Sequence, residues 1–370
     1  MWKIKRICLN ALPSPLFNRE SPPSPKSVLR LQALCEIGTH LHPPHKKTLP
    51  KLEHEINIHS PQFPDLHLAC CTDANYFTHT VATIASVLEN HPHRIVHVHL
   101  IAEGVAARDL ARLRLFVGGH NGLLYVYAPP ADASTRFRVH SSPRLSAAAY
   151  YRCFLADLLP EELERVLYLD GDVIVRKPLD AFYDRALDEG YVAAVKDYGH
   201  ITAKDYERLQ LPESQGYFNS GVLLLNLPLW RKHEVLAQCT AYFAAHPERI
   251  VYDDQDLLNV VLSGKVDFVS PTWNAQDFFY RKRFVRDETL PESTYTALLN
   301  DPAVVHFTRV PKPWHWKCTH PYRKDYLRYL KATPWKKADE AFTLGSKVKH
   351  QIRVFLTQCH LVKAQFKRKG

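Results

Sequence analysis

Residues 166–175 read Val166-Leu167-Tyr168-Leu169-Asp170-Gly171-Asp172-Val173-Ile174-Val175. Apolar residues run into an Asp-Gly-Asp step and resume after it. Short apolar runs of this length predict buried strands, the first ending at the acidic pair. Side chains at i and i+2 of an extended chain point the same way, so Asp170 and Asp172 are expected to face one ligand at the strand's end. Two carboxylates held that close repel unless a cation sits between them. A divalent ion is the simplest resolution: oxygen ligands favour Mg2+ or Mn2+, and an added imidazole tilts the choice toward Mn2+. A bare D-x-D is often only a turn, but the apolar strands on both sides weigh against that here.

Upstream of this motif the chain alternates between the two periods. Leu66–Thr72 (LHLACCT) predicts a buried first strand, and Phe77–Asn90 has Val81, Ile84, Ala85 and Leu88 at helical spacing. The stretch 95–102 alternates as a second strand, 105–116 is expected to return as a helix, and 123–128 to form a third strand. Residues 144–158 are expected to form a helix containing Tyr150, Tyr151 and Arg152 before the strand 166–170. This order predicts an α/β fold with a single, doubly wound, mainly parallel sheet, binding ligands beyond the carboxyl ends of its strands. No G-x-G-x-x-G turn occurs, so a dinucleotide fingerprint is absent.

The bulk numbers agree with a globular enzyme. Of 370 residues 46% are hydrophobic and 23% charged, both ordinary proportions. No apolar run reaches the ~18 residues that would span a bilayer. The opening MWKIKRICLNALPSPLF is interrupted by Asn10 and Pro13, so no cleavable signal peptide is expected. The 8 cysteines include no C-x-x-C pair, which argues against a zinc site or disulfide framework and suits a reducing cytosol. Charge is uneven. Arg309–Gly370 holds 16 Lys and Arg against 3 Asp and Glu, a balance of +13 in a chain of net charge +10. The other residues therefore sum to −3. From Val348 the apolar positions Val348, Ile352, Phe355, Cys359, Val362 and Phe366 form one stripe of a helix, flanked by lysines and arginines.

Five blocks in order, ACCTDANYFTHTVATIASVLENHP, SAAAYYRCFLADLLPEELERVLYLDGD, GYFNSGVLLLNLPLWRKH, YDDQDLLNVVLSGKV and VVHFTRVPKPWH, resemble glycosyltransferase family 8 over roughly Leu66–Trp335. The tail PWHWKCTHPYRKDYLRYLKATPWK is similar to the bacterial lipopolysaccharide core glucosyl- and galactosyltransferases of that family. The resemblance implies a GT-A-like nucleotide-binding fold and retaining transfer from UDP-glucose or UDP-galactose with Mn2+ or Mg2+. It implies Asp170, Asp172 and His306 as metal ligands and Lys312 at the pyrophosphate. It further implies Thr72, Asp73, Asn75 and Tyr76 at the uridine, with Arg152, Gly171, Asn219, Ser220 and Gly221 contacting the donor. Asp197, Asp254 and Gln255 are implied to face its sugar, where the catalytic groups would lie. Unaided, His306 reads as a strand-end core histidine, Lys312 as a surface lysine, and Asp73 or Asn75 as a helix cap. Asp253, Asp254 and Asp256 could simply charge a helix's first turn.

Two departures stand out. Ser220 occupies a place where the family often has Ala. Arg309 replaces a common glycine in H-x-x-G-x-x-K-P-W, where a missing side chain lets backbone approach the diphosphate; arginine there either contacts phosphate or blocks that approach.

Two other readings compete: a phosphatase-like enzyme attacking through Asp170, and a binding protein whose basic tail meets nucleic acid or anionic lipid. The first expects its motif near the domain's start. The complete ligand set argues against the second, and nucleic acid is not an expected partner. The expected organisation is a poorly structured leader (1–64), a catalytic domain (65–308) and a basic aromatic C-terminal region with an amphipathic helix (309–370). The tail, with Trp314, Trp316 and Trp335, is read as a device for an anionic membrane surface, or else as a helix packed on the body. The acceptor is expected to be a lipid-linked anionic saccharide on the cytoplasmic face of the inner membrane.

Overall fold

The computed structural model describes residues 64–137, 147–199, 201–281 and 289–336, with positions 348, 352, 355 and 356. The chain divides into the units Met1–Ile58 and His59–Gly370, and every described residue belongs to the second. The expected leader therefore lies outside the described residues, except for Pro64.

The strands are β1 (Leu66–Asp73), β2 (Val96–Glu103), β3 (Gly122–Tyr127), β4 (Arg165–Leu169), β5 (Val173–Val175), β6 (Val192–Lys196), β7 (Phe218–Asn226), β8 (Val266–Phe268), β9 (Ala275–Gln276) and β10 (Val304–His306). Helices used below are α1 (Phe77–Asn90), α2 (Ala107–Gly118), α3 (Asp253–Val261) and α4 (Arg323–Ala332). Seven strands form one sheet in the order β3-β2-β1-β4-β7-β6-β8, parallel except where β7 pairs with β4 and β6. One face packs on α1 and α2 through Phe77, Val81, Leu113 and Phe116. The other packs on Tyr150, Phe154, Cys239 and Leu257. Burial on both faces explains why strands such as LHLACCT are apolar throughout.

Two expectations need correction. A second sheet exists, in the order β5-β10-β9, because the chain turns at Gly171 and leaves the main sheet. The region expected as one helix over 144–158 is a 3-10 helix at Ala147–Phe154 followed by one α-turn at Leu155–Leu158. The Arg152 guanidinium is drawn there to Ser220 O and the Ala149 carbonyl, and Tyr150 and Tyr151 are buried.

The second sheet positions the site. Its β10 runs antiparallel to β5 with His306 opposite Val173, and Phe307 N donates to Asp172 O at 3.0 Å. A distant imidazole is thereby set beside the acidic turn. That turn is also held from α1, where Thr83 Oγ1 donates to Val173 O at 2.7 Å and lies 3.3 Å from Asp170 O.

Because Thr83 is fully buried, Thr83→Val keeps its volume but strips those carbonyls of their donor. Unfolding in urea should show a loss of about 1–3 kcal/mol; an unmoved midpoint would make the hydroxyl immaterial.

Candidate active site

Asp170 ends β4 and Asp172 precedes β5, with glycine between them. A Cβ at Gly171 would lie 2.4 Å from Thr80 Oγ1 and 3.2 Å from Tyr76 Cδ1, so only glycine lets the turn press onto α1. At Gly221 a Cβ would lie 2.2 Å from His306 Cε1 and 2.6 Å from Asp170 Oδ2. Glycine there leaves the imidazole its place.

Asp170, Asp172 and His306 each offer a ligand atom, all within 4.8 Å of one another. His306 Nε2 lies 3.3 Å from Asp172 Oδ1 and 3.7 Å from Asp170 Oδ2. Its other nitrogen, Nδ1, lies 3.0 Å from Asn274 Oδ1. A carboxamide oxygen only accepts, so Nδ1 carries a proton toward Asn274 and Nε2 is the nitrogen turned to the two carboxylates, where it would offer its lone pair to a cation. Two carboxylate oxygens and one ring nitrogen converge on a single point. That arrangement fits a divalent cation, and two carboxylate oxygens with one imidazole suit Mn2+ or Mg2+.

Positive charge surrounds the acids. Lys312 Nζ meets Asp172 Oδ2 at 2.5 Å and donates to Phe307 O at 2.6 Å. Burial alone would raise the Asp172 carboxyl, but Lys312 and His306 outweigh it and hold it well below the usual range. Arg152, buried, donates to Asp170 Oδ1 at 2.8 Å and lies 3.1 Å from Asp254 Oδ2. Its guanidinium covers the Tyr168 ring, whose hydroxyl also donates to Asp170 Oδ1 at 2.7 Å. Burial pushes the Asp254 carboxyl up to about 7 against the pull of Arg152.

A hydrogen-bonded chain leads from the histidine toward the other expected donor residues. Asn274 Nδ2 donates to Asn219 Oδ1 at 2.9 Å, Asn219 Nδ2 to Gln255 Oε1 at 3.0 Å, and Gln255 Nε2 to Asp197 Oδ2 at 3.2 Å. Ser220 Oγ joins Asp254 at 2.9 Å. Sequence reasoning missed Asn274. No local signal marked it: Asn274 is fully buried only because it precedes the two-residue strand β9 of the second sheet. Asp256, fully buried, accepts from Val251 N, Tyr252 N, Tyr217 OH and Arg208; its oxygens organise the start of α3.

At the end of β1, Asp73 Oδ1 accepts from Tyr76 N at 2.8 Å in the turn that leads into α1; the N-cap position is Tyr76 and no side chain caps the helix, so neither Asp73 nor Asn75 fills the capping role. Thr72 is buried and bonded to Thr80, whereas Asn75 is exposed. Trp314 stacks on His79 with ring centroids 3.6 Å apart, and His79 Nδ1 lies 2.8 Å from Tyr326 OH. This clamps the segment after His306 onto α1. Trp335 packs edge-on against Phe77, with Nε1 donating to Asp109 at 3.3 Å. These two tryptophans therefore pack on the body of the protein and are half-buried there.

Residues 67–318 match the model of glycosyl transferase family 8. General stress protein A of Bacillus subtilis (strain 168) is 30% identical over 280 residues, 73% of this chain and 94% of that protein. The lipopolysaccharide 1,2-glucosyltransferase of Escherichia coli (strain K12) is 28% identical over 276 residues, covering 73% and 79%. The crystal structure of galactosyltransferase LgtC with donor and acceptor sugar analogues superposes with a TM-score of 0.66 at 23% identity, covering 77% of this chain and 100% of that one; it shows a shared fold. With the acidic turn, the histidine and the doubly wound sheet in these positions, the chain belongs to glycosyl transferase family 8 and is a glycosyltransferase.

Proposed function

We propose that the protein is a retaining hexosyltransferase that moves glucose or galactose from its UDP conjugate to a lipopolysaccharide core saccharide, with Mn2+ or Mg2+. The observation that carries this reading is the convergence of Asp170, Asp172 and His306 Nε2 with Lys312 alongside. The relatives include lipopolysaccharide glucosyl- and galactosyltransferases, which supports the substrate class.

Asp170, Asp172 and His306 would hold the cation, which when bound supplies Lewis acidity to the leaving diphosphate. Lys312 faces the same place with a compact ammonium and would stabilise the charge that accumulates on that phosphate. Arg152 fixes Asp170 by a charge-assisted bond and keeps one oxygen aimed at His306. Thr72, Asp73, Asn75 and Tyr76 would meet the uridine, Gly171 would let the diphosphate lie close, and Asn219, Ser220, Gly221, Asp254, Gln255 and Asp197 would line the sugar.

The hydrogen bonds favour a front-side displacement, in which the departing phosphate accepts the acceptor's proton. Asp256 is committed to four donors. Asp197 accepts from Gly199 N and Gln255 Nε2, which leaves it a poor nucleophile. The phosphatase-like alternative gains no support, because Asp170 Oδ1 already accepts from Arg152 and Tyr168.

We further read the body from 65 to 308 as the catalytic domain and 309–370 as a basic appendage. No helix among the described residues is long and apolar enough to cross a membrane. Val348, Ile352 and Phe355 are helical and 48%, 52% and 61% exposed, whereas Cys359, Val362 and Phe366 lie outside the described residues. Exposed apolar groups beside lysines and arginines suit peripheral binding to anionic lipid at the inner face of the inner membrane.

Asp172→Asn should fold, as judged by circular dichroism, yet lose at least about a hundredfold in metal-dependent release of UDP from UDP-glucose or UDP-galactose. Wild-type turnover in that variant would defeat the assignment. UDP with Mn2+ should raise the wild-type melting temperature, by linkage, and chelation should abolish the rise; a rise of equal size in chelator would remove the ion from the site. Replacing Val348, Ile352 and Phe355 together by serine should weaken sedimentation with anionic liposomes while leaving UDP binding intact. Undiminished sedimentation would count against the tail.

A further inference from the structure

The strip Asn274-Ala275-Gln276-Asp277 lies along β10, with Gln276 opposite His306 in the second sheet. At one end of the strip, Asn274 meets the metal-ligand imidazole at 3.0 Å. At the other end, Asp277 opens the 3-10 turn Asp277–Tyr280 and is buried. Its Oδ1 lies 3.4 Å from His320 Nε2 and takes part in no hydrogen bond of ordinary geometry. His320 is buried too, with the rings of Tyr280 and Phe307 each 4.8 Å away, centroid to centroid. Its Nδ1 accepts from Tyr322 N at 3.2 Å, and burial, ahead of the charge of Arg281, lowers the ring to about 3. The neutral ring therefore carries its one proton on Nε2, turned to Asp277. Burial pushes the Asp277 carboxyl up to about 6, and Lys312 is foremost among the charges that pull it back.

The segment that bears Lys312 runs between His306 and His320. Lys312 O accepts from His315 N at 2.8 Å and His315 O from Cys318 N at 3.0 Å, two turns in succession. Arg323 Nε, at the start of α4, donates to Pro313 O at 3.0 Å. A pull on His320 is thus passed to residue 312 through short hydrogen-bonded links. A buried carboxylate is costly unless donors face it, and the Nε2 proton is a donor already turned to Asp277. At 3.4 Å the pair is long for a hydrogen bond, yet the attraction between them acts to draw the segment inward.

We propose that Asp277 is a positioning residue: acting through His320, it anchors the far end of the Lys312 segment, so that the ammonium stays on Asp172 beside the metal-ligand cluster. Asn274 anchors the near end through His306. One four-residue strip thereby sets both the imidazole and the lysine. The proposal rests on the reading above for what Lys312 does in the reaction, but not for the anchor itself.

The test uses the full chain with Asp277→Ala and Asp277→Asn, each made alone and together with Lys312→Ala. Metal-dependent release of UDP from UDP-glucose and UDP-galactose is followed, and amide hydrogen exchange over 308–319 is read by mass spectrometry. Asp277→Ala should lose about tenfold to a hundredfold in kcat/KM, the scale of a misplaced group near the chemistry. Asp277→Asn should recover part, since its carboxamide oxygen still accepts from Nε2. With Lys312 already removed, neither change should cost more than about twofold, because both act through one side chain. Exchange in Asp277→Ala should quicken over 308–319 and match wild type over α1 and α3. An equal loss in the Lys312→Ala background would mark a general effect on folding and refute the positioning role, as would an unchanged kcat/KM in Asp277→Ala. Where circular dichroism shows Asp277→Ala unfolded, Asp277→Asn carries the same comparisons. If wild type turns over neither UDP-sugar, the UDP-hexose reading fails and exchange decides the anchor. Quickening confined to 308–319 upholds it, and unchanged exchange there overturns it.

Discussion

Two carboxylates and one imidazole nitrogen aimed at one point are the constraint on which the rest of the site depends. The Asp170 and Asp172 carboxylates and His306 Nε2 converge within 4.8 Å, and the two like charges would repel each other in a medium of low dielectric. Two glycines are needed simply to make room. Gly171 lets the acidic turn lie on α1, and Gly221 yields its side-chain space to the imidazole. The small second sheet has the same origin. Without β10 pairing to β5, nothing would carry residue 306 back across the 133 positions that separate it from Asp172.

The imidazole is also tied to the residues expected to face the sugar. Asn274 fixes its proton, and the amides of Asn219 and Gln255 continue the chain to Asp197. Each amide in such a chain has one oxygen and one NH2, so fixing one end fixes the orientation of all. Arg152 does comparable work on the opposite flank, where a single guanidinium serves Asp170, Asp254 and the carbonyl of Ser220. The expected metal ligands and donor-sugar residues therefore form one network in which a displaced side chain would be felt throughout.

The sequence displayed some of this plainly. Strands buried on both faces are continuous apolar runs, so β1, β2 and β4 and the turn at Asp170–Asp172 could be read directly. Side chains that meet only through tertiary pairing were opaque. His306 had no local mark to separate it from 20 other histidines, and family resemblance alone singled it out. Asn274 was overlooked because its burial follows from the second sheet, which the strand count did not anticipate: β5, β9 and β10 have only two or three residues each. The 3-10 helix at Ala147–Phe154 was misread for a related reason, since apolar spacing cannot separate it from an α-helix when long-range bonds to Arg152 decide the backbone. Trp314 and Trp335 looked like interfacial anchors because aromatic and basic residues alternate in both settings; the stacking of Trp314 on His79 and the edge-on contact of Trp335 with Phe77 show packing on the body.

Charge balance constrains what such a cleft can admit. Asp172 is matched by Lys312, and Asp170 and Asp254 share Arg152. A dication entering alone would approach two cations already in place, and a diphosphate entering alone would approach the carboxylates. Brought in together, their charges largely cancel, and Lys312 can interact with phosphate while Asp172 turns to the ion. Under the proposed function, charge balance favours an ion and a nucleotide held as one unit.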